Sequence, residues 1–222
     1  MARFLVVTAT NTGVGKTLVS TGLARARAAR GERVLAIKPF ETGLVEDERG
    51  DGEVLAEATG QAEPRRALVR LREPLTPALA AERQGVSVDV EQVVARIRAL
   101  SVDADTVIVE GAGGVLSPIT WTADITTVAR SLGAAEVILV AADELGTLSL
   151  THTAVFYLAQ LGLEPSTIIL SEPARRDLST GTNAAALRRR LADLGRVGEN
   201  IVELRRVADA TEAAGVLATV LR

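Results

Sequence analysis

The strongest constraint on the fold is a short segment, residues 9–17, that reads ATNTGVGKT. It follows an apolar run at residues 4–7 and precedes a helix-like stretch at residues 18–30. A strand, a tight loop and a helix start in this order direct backbone N–H groups and a helix N-terminus at a polyphosphate. Lys16 is suited to neutralise the outer phosphate oxygens, and the Thr17 hydroxyl to ligate magnesium. The segment predicts binding of a nucleoside triphosphate, although Thr10 replaces the first glycine of the strict G-x-x-x-x-G-K-[ST] pattern.

Apolar runs that are typical of buried strands recur along the chain, at residues 4–7, 34–37, 106–109, 137–140, 167–170 and, more weakly, 201–204. Helical patterns separate most of them, at residues 18–29, 90–100, 148–161, 184–194 and 207–221. This alternation favours an α/β fold with a mostly parallel central sheet and helices on both faces. With 222 residues, we expect a single P-loop NTPase-like domain over residues 1–222.

Composition excludes several classes of function. The net charge is -3 and aromatic residues make up only 2% of the chain, which argues against a nucleic-acid partner because such binders need a basic field and stacking rings. The chain has no cysteine, so thiolate zinc sites and cysteine nucleophiles are excluded. No apolar run approaches the roughly 20 residues of a membrane helix. We expect a cytoplasmic protein with no membrane partner.

Charged residues follow two of the predicted strands. Lys38 comes directly after residues 34–37, and a lysine at the ligand edge of a sheet is costly unless it meets an anion; the alternative is a lysine that reaches solvent. Glu110 comes directly after residues 106–109 and is suited to hold magnesium opposite Thr17, or is a simple turn residue. Asp51 is a weaker metal candidate, because it lies in an acidic stretch at residues 43–53 that is predicted to be a loop and also reads as a solvated charge run.

Several motifs in unbroken order resemble the dethiobiotin synthetase family. They are TATNTGVGKT at residues 8–17, KPFETG at 38–43, the acidic residue Asp51, EPLTPALAA at 73–81, VEGAGG at 109–114 and ELGTLSLTH at 144–152. Motifs in this unbroken order are far more specific than any one of them. The resemblance implies an ATP-dependent, magnesium-requiring ligase of biotin biosynthesis.

The implied reaction closes a cyclic urea. In this family, 7,8-diaminopelargonate and CO2 give a carbamate, which the γ-phosphate of ATP converts to a carbamic-phosphoric anhydride before the second amine closes the ring. A carbamate carries negative charge toward another anion, so cations must neutralise both partners. By the resemblance, Lys16 and Lys38 are the catalytic cations.

The resemblance also assigns the remaining site residues. The nucleotide would be bound by Gly13, Val14, Gly15, Lys16, Thr17, Leu18, Asp51, Glu110, Gly111, Ala112, Gly113, Ser171 and Glu172. The diamine or carbamate would be bound by Thr12, Lys38, Thr42, Gly146, Thr147, Leu148 and Ser149. Magnesium would be held by Thr17, Asp51 and Glu110. Family members are homodimers in which the helix start at residues 146–149 reaches the partner's substrate carboxylate, so a homodimer with active sites at the subunit interface is implied.

Two alternatives remain open. Ser171 stands where the family often has an asparagine, and its single hydroxyl reads a purine edge less completely, so a relaxed base preference is the alternative to ATP. The rival function is a nucleotide-switched ATPase of the partition type, which acts as an interaction protein. Those proteins carry a lysine five positions before the lysine of GKT, where this chain has Asn11.

Overall fold

The computed structural model describes residues 2–44, 49–194 and 200–220. Within these ranges the strands are β1 (Arg3–Ala9), β2 (Val34–Ile37), β3 (Phe40–Thr42), β4 (Val69–Leu71), β5 (Thr106–Glu110), β6 (Glu136–Ala142), β7 (Thr167–Ser171) and β8 (Ile201–Leu204). The α-helices are α1 (Lys16–Ala28), α2 (Asp51–Thr59), α3 (Pro77–Gln84), α4 (Val90–Leu100), α5 (Ile125–Leu132), α6 (Thr147–Gln160), α7 (Asn183–Asp193) and α8 (Ala210–Leu217), and a 3-10 turn follows at Ala218–Val220.

The central sheet has six strands in the order β2-β5-β1-β6-β7-β8. Every neighbouring pair is parallel, so the carboxyl ends of all six strands lie along one edge. β1 occupies an inner position between β5 and β6, where Val7 pairs with Glu110 on one side and Ile138 on the other. The predicted parallel sheet and all six of its strands are therefore confirmed.

Alternate residues of the strands pack into two separate cores. Leu5 and Val7 lie in a cluster with side chains of α1, α2 and α8. Val6, between them, lies in the larger cluster formed with α4, α5, α6 and α7. Since successive strand side chains point to opposite faces, both faces of the sheet are covered, and this confirms the predicted layer arrangement.

A second, two-stranded sheet was not expected from the sequence. β3 pairs in parallel with β4, with Phe40 opposite Val69 and Thr42 opposite Leu71. Three-residue strands leave no detectable alternation pattern, because a period of two needs more residues to register. Residues 40–42 of the KPFETG motif, which follow Lys38, form the first strand of this small sheet.

The stretch at residues 43–53 was predicted to be a loop, and this is wrong at its C-terminal end. Asp51 is the first residue of α2, a helix of 9 residues. The helix was not predicted because the stretch is acidic and shows little apolar periodicity. The only buried residues of α2 are Gly52, Leu55 and Ala56. Three acidic residues of the same stretch, Glu46, Asp47 and Glu48, lie outside the described residues.

The remaining differences concern helix ends and helices without a strong pattern. α1 begins at Lys16, directly after its N-cap Gly15 and two residues before the predicted start. The last predicted helix, 207–221, is shorter: α8 starts after the capping residue Asp209, and residues 221–222 lie outside the described ranges. α2, α3 and α5 are additional, and at eight or nine residues each they span little more than two helical turns.

Among the described residues, no helix is both long and apolar enough to cross a bilayer.

Two helical glycines give a matched test of the packing between α1 and α8. A Cβ at Gly22 would lie 2.8 Å from Leu217 Cδ1 and 3.0 Å from Ala213 Cβ, whereas a Cβ at Gly215 would meet nothing within 4 Å. We expect Gly22→Ala to lower the free energy of unfolding by about 1 to 3 kcal/mol through overpacking. Gly215→Ala should raise it by about 0.5 to 1 kcal/mol. Urea denaturation measures both, and equal effects would contradict the close approach of these helices.

Candidate active site

The phosphate-binding loop lies at the carboxyl end of β1 and enters α1. Gly13 and Gly15 have φ of 75° and 98°, a left-handed conformation that glycine adopts without strain. Gly15 is the N-cap of α1, and no side chain caps the helix, so its first N–H groups face the loop. This is the geometry that binds phosphate.

The loop after β5 packs directly on the phosphate-binding loop. Val115 N donates to Ala9 O at 2.7 Å, and a Cβ on Gly114 would lie 2.9 Å from the carbonyl oxygen of Thr10. The glycines of VEGAGG therefore permit a close backbone approach that a side chain would block. The contact brings the end of β5, with Glu110, beside the start of α1.

Three oxygen-bearing side chains meet at the start of α1. Thr17 Oγ1 lies 2.9 Å from Asp51 Oδ1 and 3.0 Å from Glu110 Oε1. Glu110 is fully buried, and its Oε2 has no hydrogen-bond partner within residues 2–44, 49–194 and 200–220. The structure thus brings together the three predicted metal ligands, which come from α1, α2 and β5.

Lys38 completes this cluster from the end of β2. Its Nζ donates to Glu110 Oε1 at 2.6 Å, to Asp51 Oδ2 at 2.7 Å and to Gly111 O at 3.3 Å. Only 4% of the side chain is exposed, so the alternative of a lysine reaching solvent does not hold. The interpretation of Glu110 as a simple turn residue also fails, because Glu110 is the last residue of β5 and is fully buried.

Burial and neighbouring charges set the protonation of these groups. Burial, and then the nearby charge of Lys38, lowers the pKa of Lys16 to about 8. Burial opposes the charge on Lys38, but Glu110 and Asp51 outweigh it and raise the pKa of Lys38. Burial likewise opposes the charge on Asp51, while the ammonium and hydrogen bond of Lys38 lower its pKa. Lys38 and Asp51 are therefore charged at neutral pH.

A cavity of about 560 Å³ opens above the cluster. The predicted site residues that line it are Thr12, Gly13, Gly15, Lys16, Thr17, Leu18, Lys38, Thr42, Asp51, Ala112 and Gly113. Lys16 and Lys38 thus face one cavity, although they come from different strand ends. Val14 in the phosphate-binding loop, Glu110 at the end of β5 and Gly111 after it do not line the cavity.

The predicted nucleotide residues at the end of β7, Ser171 and Glu172, do not line this cavity. Ser171 is beneath the phosphate-binding loop, since a Cβ on Gly15 would lie 2.8 Å from Ser171 Oγ. Glu172 lines a second cavity of about 180 Å³ together with Arg176 and Arg205. This second cavity is polar and lies at the carboxyl ends of β7 and β8.

The predicted residues at the start of α6 are apart from both cavities. Gly146 caps this helix with φ 96°, and Thr147 is its first residue. Thr147 is buried, whereas Gly146, Leu148 and Ser149 are exposed. The neighbouring Leu145 and Leu150 are also exposed, at 84% and 49%. The structure therefore does not bring residues 146–149 to the phosphate-binding loop of the same chain.

The sequence analysis did not predict five of the residues that line the main cavity, which are Glu41, Leu44, Arg49, Gly50 and Val54. Glu41, within KPFETG, lines the main cavity and is only 5% exposed. Its carboxylate accepts hydrogen bonds from the backbone N–H groups of Asp51 and Gly52. The sequence carried no signal for this contact, because it joins β3 to a helix that was itself not predicted.

The fold and the site together define a P-loop nucleotide-binding protein. A family model described as an AAA domain matches residues 3–209. The dethiobiotin synthetase of Anaeromyxobacter dehalogenans is 40% identical over 84% of this chain and 85% of its own length. That of Streptomyces coelicolor is 38% identical over 82% of this chain and 77% of its own. The protein therefore belongs to this AAA domain family and to the family of ATP-dependent dethiobiotin synthetases.

A solved structure supports the fold independently. The septum site-determining protein MinD of Pyrococcus horikoshii, in complex with Mg-ADP, superposes with a TM-score of 0.59. It covers 99% of this chain and 94% of its own, at 18% sequence identity. At this identity the likeness concerns the fold alone.

The buried cluster predicts a strong coupling between Lys38 and Glu110. Lys38→Met leaves the Glu110 carboxylate buried without its cation, which should lower the free energy of unfolding by about 3 kcal/mol. Adding Glu110→Gln removes that charge and should recover most of the loss. Urea denaturation of Lys38→Met, of Glu110→Gln and of the double variant measures these free energies of unfolding.

Arg33→Met is the matched control, because it breaks the exposed ion pair with Asp105. Exposed pairs contribute little to stability, so we expect a much smaller change. A double variant as unstable as the sum of its single variants would contradict the coupling.

Proposed function

We propose that this protein uses ATP to convert 7,8-diaminopelargonate and CO2 to dethiobiotin, acting as one ligase domain over residues 1–222. As a dethiobiotin synthetase it is an ATP-dependent ligase that forms C–N bonds. The observation that carries the proposal for these residues is the convergence of Lys16 and Lys38 on one cavity, above the oxygen cluster of Thr17, Asp51 and Glu110.

The proposed chemistry has three steps. An amine of the substrate attacks CO2 and loses a proton, which gives a carbamate. A carbamate oxygen then attacks the γ-phosphorus of ATP, forms a carbamic-phosphoric anhydride and releases ADP. The second amine attacks the anhydride carbonyl, loses a proton, closes the ring and expels phosphate. Each step is limited by charge and orientation, so no protein nucleophile is required.

The two lysines neutralise the anions that meet in the second step. Carbamate and triphosphate are both anions, and their approach is favourable only between fixed cations in a site of low dielectric. Lys16 is in the loop whose backbone N–H groups face the phosphates, so we assign it to the β- and γ-phosphate oxygens. Lys38 follows β2, two strands away along the same sheet edge, and we assign it to the carbamate and the transferred phosphoryl group.

The residues present fit a magnesium ion. Magnesium prefers oxygen ligands and is usually held by one or two carboxylates together with substrate phosphates. Thr17 Oγ1 and Asp51 would ligate it, and Glu110 offers a buried oxygen without a partner among the described residues. When bound, magnesium neutralises charge on the β- and γ-phosphate oxygens.

Substrate binding follows from the residues at the two ends of the cavity. Thr12 and Thr42 line it and carry hydroxyl groups suited to the carbamate or the diamine. Residues 146–149 would bind the substrate carboxylate of a second copy at the α6 N-terminus. The exposed Leu145 and Leu150 beside them support a homodimer with active sites at the interface, and we place the enzyme in the cytoplasm.

The nucleotide base would bind beside Ser171 and Glu172. Ser171 lies next to the phosphate-binding loop, and Glu172 lines the polar second cavity. ATP is the proposed substrate. The single hydroxyl of Ser171 leaves a relaxed base preference as the outcome to compare with it.

The test is phosphate release by purified protein with diaminopelargonate, bicarbonate, magnesium and each of the four nucleoside triphosphates in turn. We expect phosphate only when the diamine is present, in equal amount to the cyclic urea, because phosphoryl transfer requires the carbamate. Removing magnesium with EDTA should abolish release. The ranking of the four nucleotides measures the base preference.

Diamine-independent hydrolysis would contradict this function. Hydrolysis stimulated instead by DNA, lipid vesicles or a protein would favour the partition-type switch. Asn11, at the position of that class's additional lysine, speaks against this outcome.

Lys38→Gln should lower diamine-dependent phosphate release by about 100-fold or more, since it removes one preorganised cation from the transition state. The glutamine amide still donates to Glu110 or Asp51, which favours a folded variant. Binding of a non-hydrolysable ATP analogue, measured by titration calorimetry, should change little. Lys16→Gln is the comparison, because it should weaken that binding. Wild-type turnover by Lys38→Gln would remove Lys38 from the mechanism.

A further inference from the structure

Glu41 occupies an unusual place for a carboxylate. It is the middle residue of β3 and is 5% exposed. Its Oε1 accepts the backbone N–H of Asp51, and its Oε2 lies 3.4 Å from the N–H of Gly52. Glu41 therefore binds the first turn of α2 from a different element of the fold.

Within α2, the Glu53 side chain accepts the N–H of the N-cap residue Gly50, and Glu41 accepts the next two N–H groups. The N-cap of α2 is Gly50, which has no side chain to accept from the first N–H groups. Such groups need an acceptor when they are withdrawn from water. A carboxylate at a helix N-terminus also complements the helix dipole. Glu41 supplies both from β3.

The packing around the turn is close and leaves little freedom. A Cβ on Gly50 would lie 2.5 Å from Glu41 Oε1, and a Cβ on Gly52 would lie 2.3 Å from Ala67 N. Glycine on both sides of Asp51 thus lets the turn rest directly on Glu41 and residue 67. With its backbone fixed in this way, Asp51 presents its carboxylate to Thr17 and Lys38.

Glu41 lines the same cavity as Asp51 but is not placed as a ligand in its own right. Both of its carboxylate oxygens are directed at backbone N–H groups. Within the described ranges, no three acidic or histidine side chains are grouped so as to hold a metal ion. Its contact with the Asp51 backbone therefore reaches the metal ligand through the first turn of α2.

We propose that Glu41 is the positioning residue for the magnesium ligand Asp51. It binds the backbone of the residue whose side chain faces the metal, and so fixes the distance between Asp51 and Thr17 before magnesium and nucleotide bind. The inference rests on the proposed function, because it assigns magnesium to Thr17, Asp51 and Glu110. Residues that orient metal ligands typically account for a 10- to 100-fold effect on metal affinity.

The test measures binding of a non-hydrolysable ATP analogue by calorimetry, with EDTA and over a range of magnesium concentrations. We expect Glu41→Ala to raise the magnesium concentration for half-maximal enhancement by about 10-fold, with unchanged affinity in EDTA. Glu41→Gln should give a smaller rise, because its amide oxygen still accepts one N–H. Adding Glu41→Ala to Asp51→Ala should have no further effect, because no carboxylate remains to be positioned.

Asp89→Ala is the matched control, since Asp89 caps α4 by accepting from Gln92 N, on a helix that does not line the cavity. It should leave the magnesium dependence unchanged. A wild-type magnesium dependence in both Glu41 variants, an equal loss of affinity in EDTA, or additive effects with Asp51→Ala would each overturn the inference. Diamine-dependent turnover of the wild type tests the proposed function separately, and wild-type analogue binding that is indifferent to magnesium would overturn the metal site and this inference together.

Discussion

The site depends on one buried charge cluster, in which Lys38 Nζ lies between the carboxylates of Glu110 and Asp51. A buried ion needs both a counter-ion and hydrogen bonds, because desolvation alone costs several kcal/mol per ion. Here the cation comes from β2 and the anions from β5 and α2, so three elements are held in fixed relation by one ammonium group. The same carboxylates face Thr17, at the start of the helix that follows the phosphate-binding loop.

The parallel sheet explains why these groups meet. In a sheet whose strands all run the same way, every strand delivers its last residue to one edge. β1, β2 and β5 are neighbours, so the phosphate-binding loop, Lys38 and Glu110 lie side by side although they are far apart in sequence. The small sheet of β3 and β4 then carries Glu41 and positions α2, which brings Asp51 into the cluster from outside the central sheet.

The accuracy of the sequence-based predictions follows the length and regularity of each pattern. β-branched runs identified the central strands, because a strand buried on both faces must be apolar along its length. Short elements failed this criterion: β3 and β4 have three residues each, and α2 has a mainly acidic first turn. Asp51 was therefore identified as a site residue through resemblance, while its structural context was predicted incorrectly.

The sequence by itself determined the phosphate-binding loop, the parallel sheet and the identity of both lysines, since each depends on local spacing or on apolar runs. Only the tertiary structure decided that Lys38 is buried between two carboxylates, that Glu41 binds the start of α2, and that residues 146–149 lie away from the main cavity of their own chain. These facts depend on distances between elements remote in sequence. Such distances are set by packing and by the pairing of buried charges, which no local pattern encodes.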